Sequence, residues 1–330
     1  MRRRGVFRKS NSKGQMSISF GLIFAIIAGA FILFIAIYAV IRFTSIEHTK
    51  IEGETSTTIG ILTNPLESSF EDSRTLTITT SVPTRIYTGC YNASYSRNYF
   101  GRQLINTSHS SHGKWTNATM NVGLSNKYIF SENPSEGRKF YVFSRTFDFP
   151  YKVADLIYVL SVEKEYCFLD ADTIRNGDME EEIENLNLAP MLVVADEMEE
   201  CTENSTKVCF RNQPGCNVTI DYLNGVLRKG IQTMQFESDA LMFAAIFTDK
   251  KTYECQVDRL MQRADSLADL YMEKSSLLVD QAGCDQGIVV DITVFSNLLK
   301  GYGGLSDLDN LNREASRLDR RNKVQECALW

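Results

Sequence analysis

The chain has 330 residues, of which 43% are hydrophobic and 23% charged, a balance typical of folded proteins rather than disordered ones. Its formal charge is −6, but six of its 35 basic residues lie in segment 1–13, which contains no acid. The remainder therefore has 29 basic against 41 acidic residues, and this excess of acid argues against nucleic acid as a partner.

An uncharged apolar segment follows the basic tail. No Asp, Glu, Lys or Arg occurs from Gly14 to Ile41, and its apolar part, Ile18–Ile41, would be about 36 Å long as a helix. That length crosses the ~30 Å hydrocarbon core of a bilayer, whereas a cleaved secretory signal has an apolar stretch of only about 7–15 residues. The sequence therefore predicts a transmembrane helix over residues 14–42, with the lipid bilayer as a partner.

The charges on either side of this segment predict its orientation. Six basic residues precede it, whereas Arg42, Glu47 and Lys50 follow it with mixed sign. The positive-inside rule places the N-terminal tail, residues 1–13, in the cytoplasm and residues 43–330 outside the cell membrane.

The start of the apolar segment carries a short motif. Ser12-Lys13-Gly14-Gln15-Met16-Ser17 leads directly into the helix and resembles the class III signal of archaeal prepilins. The resemblance implies cleavage by a membrane peptidase between Gly14 and Gln15, after which the helix would pack in a filament core. The chain departs from the bacterial form of this pattern at the fifth mature position, where Ser19 replaces the typical Glu, and this departure bears on filament assembly more than on cleavage.

Small residues recur along one side of the predicted membrane helix. Gly21, Ala25 and Gly29 stand four residues apart, a spacing that lets a second helix approach closely in lipid. The pattern favours self-association or a membrane partner, although small residues are also common in membrane helices generally.

The rest of the chain is predicted to form a stalk, residues 43–74, and one α+β domain, residues 75–330. Alternation of apolar and polar residues predicts a strand over 76–82, and residues 88–126, rich in Ser, Asn, Gly and Thr, are interpreted as loops with short strands. Aromatic and β-branched residues predict further strands at 127–130, 139–149 and 156–169. Strands are also predicted at 191–195 and 218–222, the latter leading through a turn at Asn224-Gly225 into 226–236.

Helices are predicted mainly towards the C-terminus. An acidic helix is expected at Gly177–Leu186 and a long one at Lys250–Gln281, whose apolar residues recur every three or four positions. A last helix starts near Ser306, with Asp309 completing a capping box. The sequence thus predicts one N-terminal transmembrane helix followed by a mixed, mainly antiparallel β-sheet domain with C-terminal helices.

Cysteines and glycosylation triplets occur only after the membrane segment. The eight cysteines are Cys90, Cys167, Cys201, Cys209, Cys216, Cys255, Cys284 and Cys327. Their even number on one side of the membrane predicts disulfide bonds in an oxidising compartment. The candidate glycosylation sites are Asn92, Asn106, Asn117, Asn204 and Asn217, little more than the roughly three such triplets expected by chance.

The positions of the cysteines restrict how they can pair. If Lys250–Gln281 is one helix, Cys255 and Cys284 lie about 40 Å apart and cannot bond, since a disulfide needs Cα atoms within ~7 Å. Around the turn Pro214-Gly215, either Cys209–Cys216 or Cys201–Cys209 is favoured, and the third cysteine would bond elsewhere. A zinc site is disfavoured because no two cysteines are separated by two residues and no His lies near Cys201–Cys216.

Three segments that follow the membrane helix resemble uncharacterised single-pass membrane proteins of small-genome archaea: Ile61–Glu67, Phe149–Tyr158 and Met242–Phe247. The resemblance runs over most of the chain and implies a membrane-anchored protein. It brings no activity with it.

Residues for catalysis are scarce. The three histidines are His48 in the stalk and His109 and His112 in a Ser-rich segment interpreted as a loop, so neither a metal site nor a Ser-His-Asp triad is predicted. No phosphate-binding glycine motif occurs. The acid pairs Asp170/Asp172 and Asp196/Glu197 are interpreted as solvated. No catalytic residue, cofactor or metal site is therefore predicted.

The leading interpretation is a non-enzymatic cell-envelope protein, anchored by one helix, whose extracytoplasmic domain contacts a protein partner that the sequence does not identify. The first alternative is a pilin-like subunit processed after Gly14. The second is an envelope hydrolase or ligand-binding module, which requires a pocket where ionisable groups converge.

Overall fold

A computed structural model describes Gly21 and residues 23–40, 75–91, 101–111, 113–116, 122–282, 287–325 and 327–330. The chain divides into two compact units, Met1–Lys50 and Ile51–Trp330. The predicted cytoplasmic tail, the processing residues Gly14 and Gln15, and the stalk lie outside the described residues.

The first unit contains helix α1 (Ile23–Val40). It has 18 residues with a mean hydropathy of 2.8, and none of it is buried inside the protein. Its length and composition suffice to cross a membrane, as the sequence predicts.

The second unit begins with a seven-stranded sheet in the order β3-β2-β1-β6-β7-β5, with β4 also pairing with β2. Its strands are β1 (Leu76–Tyr91), β2 (Arg102–Ser111), β3 (Lys114–Trp115), β4 (Val122–Leu124), β5 (Tyr128–Phe130), β6 (Ser135–Asp148) and β7 (Lys152–Ser161). All neighbours run antiparallel except β5 and β7, which are parallel.

A second, six-stranded sheet has the order β13-β12-β11-β10-β8-β9. Its strands are β8 (Tyr166–Leu169), β9 (Leu192–Ala195), β10 (Thr206–Cys209), β11 (Val218–Asp221), β12 (Val226–Lys229) and β13 (Gln232–Gln235). The pairs β9–β8, β8–β10 and β10–β11 are parallel, whereas β11–β12 and β12–β13 are antiparallel hairpins. The predicted α+β class is confirmed, with two mixed sheets where the sequence suggested one.

The helices of this unit are α2 (Asp178–Asn185), α3 (Asp239–Phe247), α4 (Lys250–Ala282), α5 (Gly287–Lys300) and α6 (Leu308–Lys323). The long helix α4 is confirmed almost to the residue. Its predicted apolar stripe is the face that packs inward, since Val257, Leu260 and Ala264 are all fully buried.

Helix α3 lies in the centre of the core and contacts β6 and β7 of the first sheet and β12 of the second. Phe247 packs edge-on against Tyr166 of the second sheet at 4.9 Å and against Phe143 of the first at 6.3 Å. Helical periodicity is missing from this segment because every residue from Ala240 to Phe247 is buried, so no polar face alternates with the apolar one.

The first sheet curls so that β5 approaches β2. Gln103 of β2 accepts a hydrogen bond from the Ile129 N–H of β5 at 2.9 Å, and the hydroxyls of Thr88 and Ser131 lie 2.9 Å apart. The curl encloses a second apolar cluster, made of Ile78, Ile86, Ile105, Ile129, Phe140, Val142, Ile157 and Val159.

Two local predictions were wrong. Residues 88–91 and 102–111 belong to the long pair β1–β2 instead of loops with short strands, because polar side chains are bonded across the pair: the Thr84 hydroxyl on β1 lies 2.9 Å from His109 Nδ1 on β2. The capping box from Ser306 to Asp309 is absent. Asp307 is the N-cap, and its carboxylate accepts the Gly303 N–H at 2.7 Å, which draws it away from the first turn of α6.

Candidate functional site

Three adjoining cavities lie along one side of the second unit. The Trp330 cavity, about 580 Å³, lies between the segment after β6 and helix α6 and includes Asp148, Tyr271 and Trp330. The Asp239 cavity, about 540 Å³, shares Glu237 and Asn312 with it. The Arg211 cavity, about 700 Å³, shares Tyr222 and Leu223 with the Asp239 cavity.

Glu237 stands at the junction of the first two cavities. It lies between the end of β13 and Ser238, the N-cap of α3, so that its position is fixed from both sides. Burial raises the pKa of Glu237 from its ordinary 4.5 to about 8. Within this net value, a hydrogen bond from Ser238 lowers the pKa, and the charges of Asp239 and Asp148 make smaller contributions that raise it.

Within the described part of the chain, the Oε1 atom of Glu237 has no hydrogen-bond partner, although it is shielded from solvent. The side chain as a whole is half-buried. A buried carboxylate oxygen without a donor is costly, and protonation relieves part of that cost, as the raised pKa reflects.

The other carboxylates around these cavities have partners. Asp239 accepts the Tyr222 hydroxyl at 2.8 Å and lies 3.1 Å from Arg175. Asp319 pairs with Lys323 at 2.6 Å. Asp309 also has an ion pair, with Arg313 at 3.3 Å. Glu237 differs from these three because no Lys or Arg among the described residues forms an ion pair with it.

Three aromatic rings close one side of the Trp330 cavity. Ring centroids are 4.7 Å apart for Tyr151 and Tyr271, 5.4 Å for Tyr151 and Trp330, and 5.2 Å for Tyr271 and Trp330. The Tyr151 hydroxyl donates to the Ala264 carbonyl oxygen of α4 at 2.5 Å, which fixes the cluster to that helix. The indole Nε1 of Trp330 is buried without a partner among the described residues.

The Arg211 cavity has a different character. Arg175, Arg211 and Arg228 line it together with Ile174, Phe210 and Leu223. Arg175 is engaged, since it bonds Glu182 at 2.8 Å, and Arg211 lies 3.4 Å from Asp170. The row of cavities therefore runs from a basic end to an acidic and aromatic one.

Three disulfide bonds join six of the eight predicted cysteines within the described residues. The Cα–Cα distances are 6.1 Å for Cys90–Cys255, 5.8 Å for Cys167–Cys201 and 6.0 Å for Cys209–Cys216. Cys209–Cys216 is one of the two local bonds that the sequence favours, and Cys255 bonds away from Cys284 as the helix length requires. Cys327 is disulfide-bonded too, and Cys284 lies outside the described residues.

The sequence places His109 in a loop, and this prediction was wrong. It lies on β2, is 6% exposed, and its Nδ1 is 2.9 Å from the Thr84 hydroxyl on β1. His48 and His112 lie outside the described residues. In the described part of the chain, no group of three His, Cys, Asp or Glu side chains could hold a metal ion.

The remaining predicted sites are scattered. Asn204 and Asn217 are exposed, whereas Asn106 lies on β2 with its Oδ1 shielded from solvent; Asn92 and Asn117 are outside the described residues. Gly21, Ala25 and Gly29 are exposed on α1. Of the predicted acid pairs, Asp170 accepts from Gln213 at 3.2 Å, and Asp196 is exposed.

Sequence reasoning missed Glu237 and Trp330. No motif surrounds either residue, and the only local signal is an acid placed directly before a helix N-cap. Comparisons of the chain with protein families, with curated proteins and with solved structures find no match.

Proposed function

We propose that the chain is a single-pass, membrane-anchored cell-envelope protein whose α+β domain lies outside the cytoplasm and acts as a binding module. The observation that carries the proposal is α1, 18 residues of mean hydropathy 2.8 with none of the helix buried. So large an apolar surface is unfavourable in water, and a bilayer of matching thickness would cover it.

Disulfide bonding supports the outward orientation. Cys90–Cys255 and two further bonds lie in the second unit, and bonds of this kind persist in oxidising compartments outside the cytoplasm. The basic tail before α1 agrees with the same topology through the positive-inside rule. The small-residue face of Gly21, Ala25 and Gly29 is where we would place a second membrane helix.

Protease treatment of intact cells tests this topology. We expect the chain to stay with the membrane after a high-salt wash, and external protease to remove the domain while leaving a small α1 fragment. A domain protected in intact cells and digested only after lysis would overturn the proposal. N-terminal sequencing of the membrane-bound chain distinguishes a permanent anchor from a pilin-like subunit, which would begin at Gln15.

Hydrolysis at Glu237, where the Trp330 and Asp239 cavities meet, is the second candidate function. A carboxyl group with its pKa raised to about 8 is protonated at neutral pH and can serve as a general acid. A panel of chromogenic ester, peptide and glycoside substrates tests this function. Glu237→Gln would abolish turnover if the protein is an enzyme, whereas the control Glu181→Gln, on the exposed face of α2, would retain it. That result would favour an enzyme over a binding module.

A further inference from the structure

We infer that the Trp330 and Asp239 cavities together bind an extended peptide segment of another protein, with a basic side chain of that segment placed at Glu237. This inference names the ligand class of the binding module proposed above and rests on that proposal. It stands on four groups that line the two cavities, each of which can contact a different part of a basic peptide.

The first group is the Glu237 carboxylate. It lines both cavities, and its Oε1 accepts no hydrogen bond from any described residue. Because Asp239, Asp309 and Asp319 already have cationic partners, an incoming ammonium or guanidinium group would find its unpaired counter-ion at Glu237. A charge-assisted hydrogen bond is the strongest polar contact available to such a buried oxygen.

The second is the ring cluster of Tyr151, Tyr271 and Trp330. Aromatic faces attract cations, and they also pack against the methylene stem of Lys or Arg. The protein already uses this cluster in that way, because the Lys274 ammonium lies 5.8 Å from the Tyr271 ring centroid.

The third and fourth are polar groups suited to a peptide backbone. Trp330 has an indole N–H that is buried and donates to none of the described residues, so it can bind a peptide carbonyl. Gln235, which lines the Asp239 cavity, has a buried Oε1 that lacks a donor in the described structure, so it can accept a peptide N–H. An anion, a donor and an acceptor in adjoining cavities match a basic peptide better than a simple amine.

Binding of a cation requires the ionised form of Glu237, so the affinity depends on pH. The charged or titratable groups that face Glu237 or line its cavities are Asp148, Tyr151, Lys152, Tyr222, Asp239, Tyr253, Tyr271, Asp309, Asp319 and Lys323. With a pKa of about 8, the ionised fraction of Glu237 rises from about 1% at pH 6 to about 90% at pH 9. The affinity for a cation should therefore rise about 50- to 100-fold over this range.

The test is calorimetric titration of the full chain in detergent micelles with the peptide acetyl-Gly-Lys-Gly-amide. Its counterpart with an acetylated lysine amine has the same shape without the charge. We expect the charged peptide to bind, the affinity to rise with pH as above, and the acetylated peptide to bind at least tenfold more weakly at pH 9.

Variants assign the effect to Glu237. Glu237→Gln reproduces the neutral carboxyl, so it should fold like the protein at low pH while losing the pH dependence and at least tenfold of the affinity at pH 9. The control, Glu181→Gln, removes the same charge at an exposed site and should change neither. Equal binding of both peptides, an unchanged pH dependence in Glu237→Gln, or no binding at pH 9 overturns the inference. None of these results depends on the side of the membrane on which the domain lies, so this inference and the topology fail separately.

Discussion

The two sheets cover their outer faces in different ways. The first sheet bends over its own cluster of eight buried residues, from Ile78 to Val159, and β5 closes the curl against β2. The second sheet covers its outer face with the segment around Met198, and the cluster there contains Cys167, Cys201 and Cys209, which belong to two disulfides.

Strand length explains the difference. β1 and β6 have 16 and 14 residues, long enough for one sheet to twist and meet itself. Each strand of the second sheet has only four residues, so the sheet cannot curl over its own face. Disulfides there take the place of apolar area that short strands cannot supply. The first sheet therefore covers its outer face by packing, whereas disulfide bonds contribute to the cover of the second sheet.

The largest expected effect on stability comes from removing a disulfide bond of the first sheet, and it is larger than the effect of removing one from the second sheet. Cys90–Cys255 joins the curl to α4 across 165 residues, whereas Cys209–Cys216 spans only 7. Loop-closure entropy predicts that the double substitution to Ala at Cys90 and Cys255 lowers the free energy of unfolding by about 5 kcal/mol, against about 2 kcal/mol for Cys209 and Cys216. Urea unfolding of both variants measures this, and equal losses would contradict it.

Packing inside the curl gives the next largest effect. Ile157 is fully buried there, whereas Val193 is only partly buried beside the cluster of the second sheet. Ile157→Ala should cost about 3 kcal/mol through lost contacts and a cavity, and Val193→Ala less than about 1.5 kcal/mol. Comparable urea midpoints for the two variants would show that the outer faces are equally well packed.

The closure of the curl can be weakened without changing its apolar residues. Gln103 is fully buried, accepts the Ile129 N–H at 2.9 Å, and also accepts a hydrogen bond from Gln256 of α4. Gln103→Leu leaves that N–H buried without an acceptor and should cost about 2 kcal/mol. Amide hydrogen exchange should show loss of protection at Ile129 first. Unchanged protection there would mean that Gln103 does not close the curl.

The smallest effect concerns the junction between the second sheet and α3. Glu237 has its pKa raised above 4.5 to about 8 in the folded protein, so folding retains a proton that the unfolded chain releases. The stabilisation is present below about pH 4.5 and is lost as the pH rises through 8. Because the side chain is half-buried, we expect Glu237→Gln to gain about 1 kcal/mol over the wild type at pH 9, or roughly 2–4 °C in Tm. A Tm difference that is the same at pH 5 and pH 9 would contradict this.

Sequence patterns predicted the elements that have one polar and one apolar face. The stripe of Val257, Leu260 and Ala264 gave α4, and the alternation of Val218 and Ile220 gave β11. The same reasoning failed for α3, which is buried on every side, and for β2, whose buried polar residues, such as Ser108 and His109, have bonds from neighbouring chain segments. Periodicity reports contact with solvent, so it loses its signal where neither face meets solvent or where buried residues are polar.

The sequence by itself determined the apolar segment that contains α1, the excess of acid after it and the α+β class, since length, hydropathy and charge are properties of the chain before it folds. Only the tertiary structure decided where Glu237 lies and that its Oε1 atom has no hydrogen-bond partner among the described residues. Its raised pKa comes from burial beside Asp239 and Asp148, and Asp148 belongs to a strand almost ninety residues earlier. The rings of Tyr151, Tyr271 and Trp330 likewise meet only after folding. A group of single residues from distant segments leaves no local motif, because its chemistry depends on distances that only the folded chain sets.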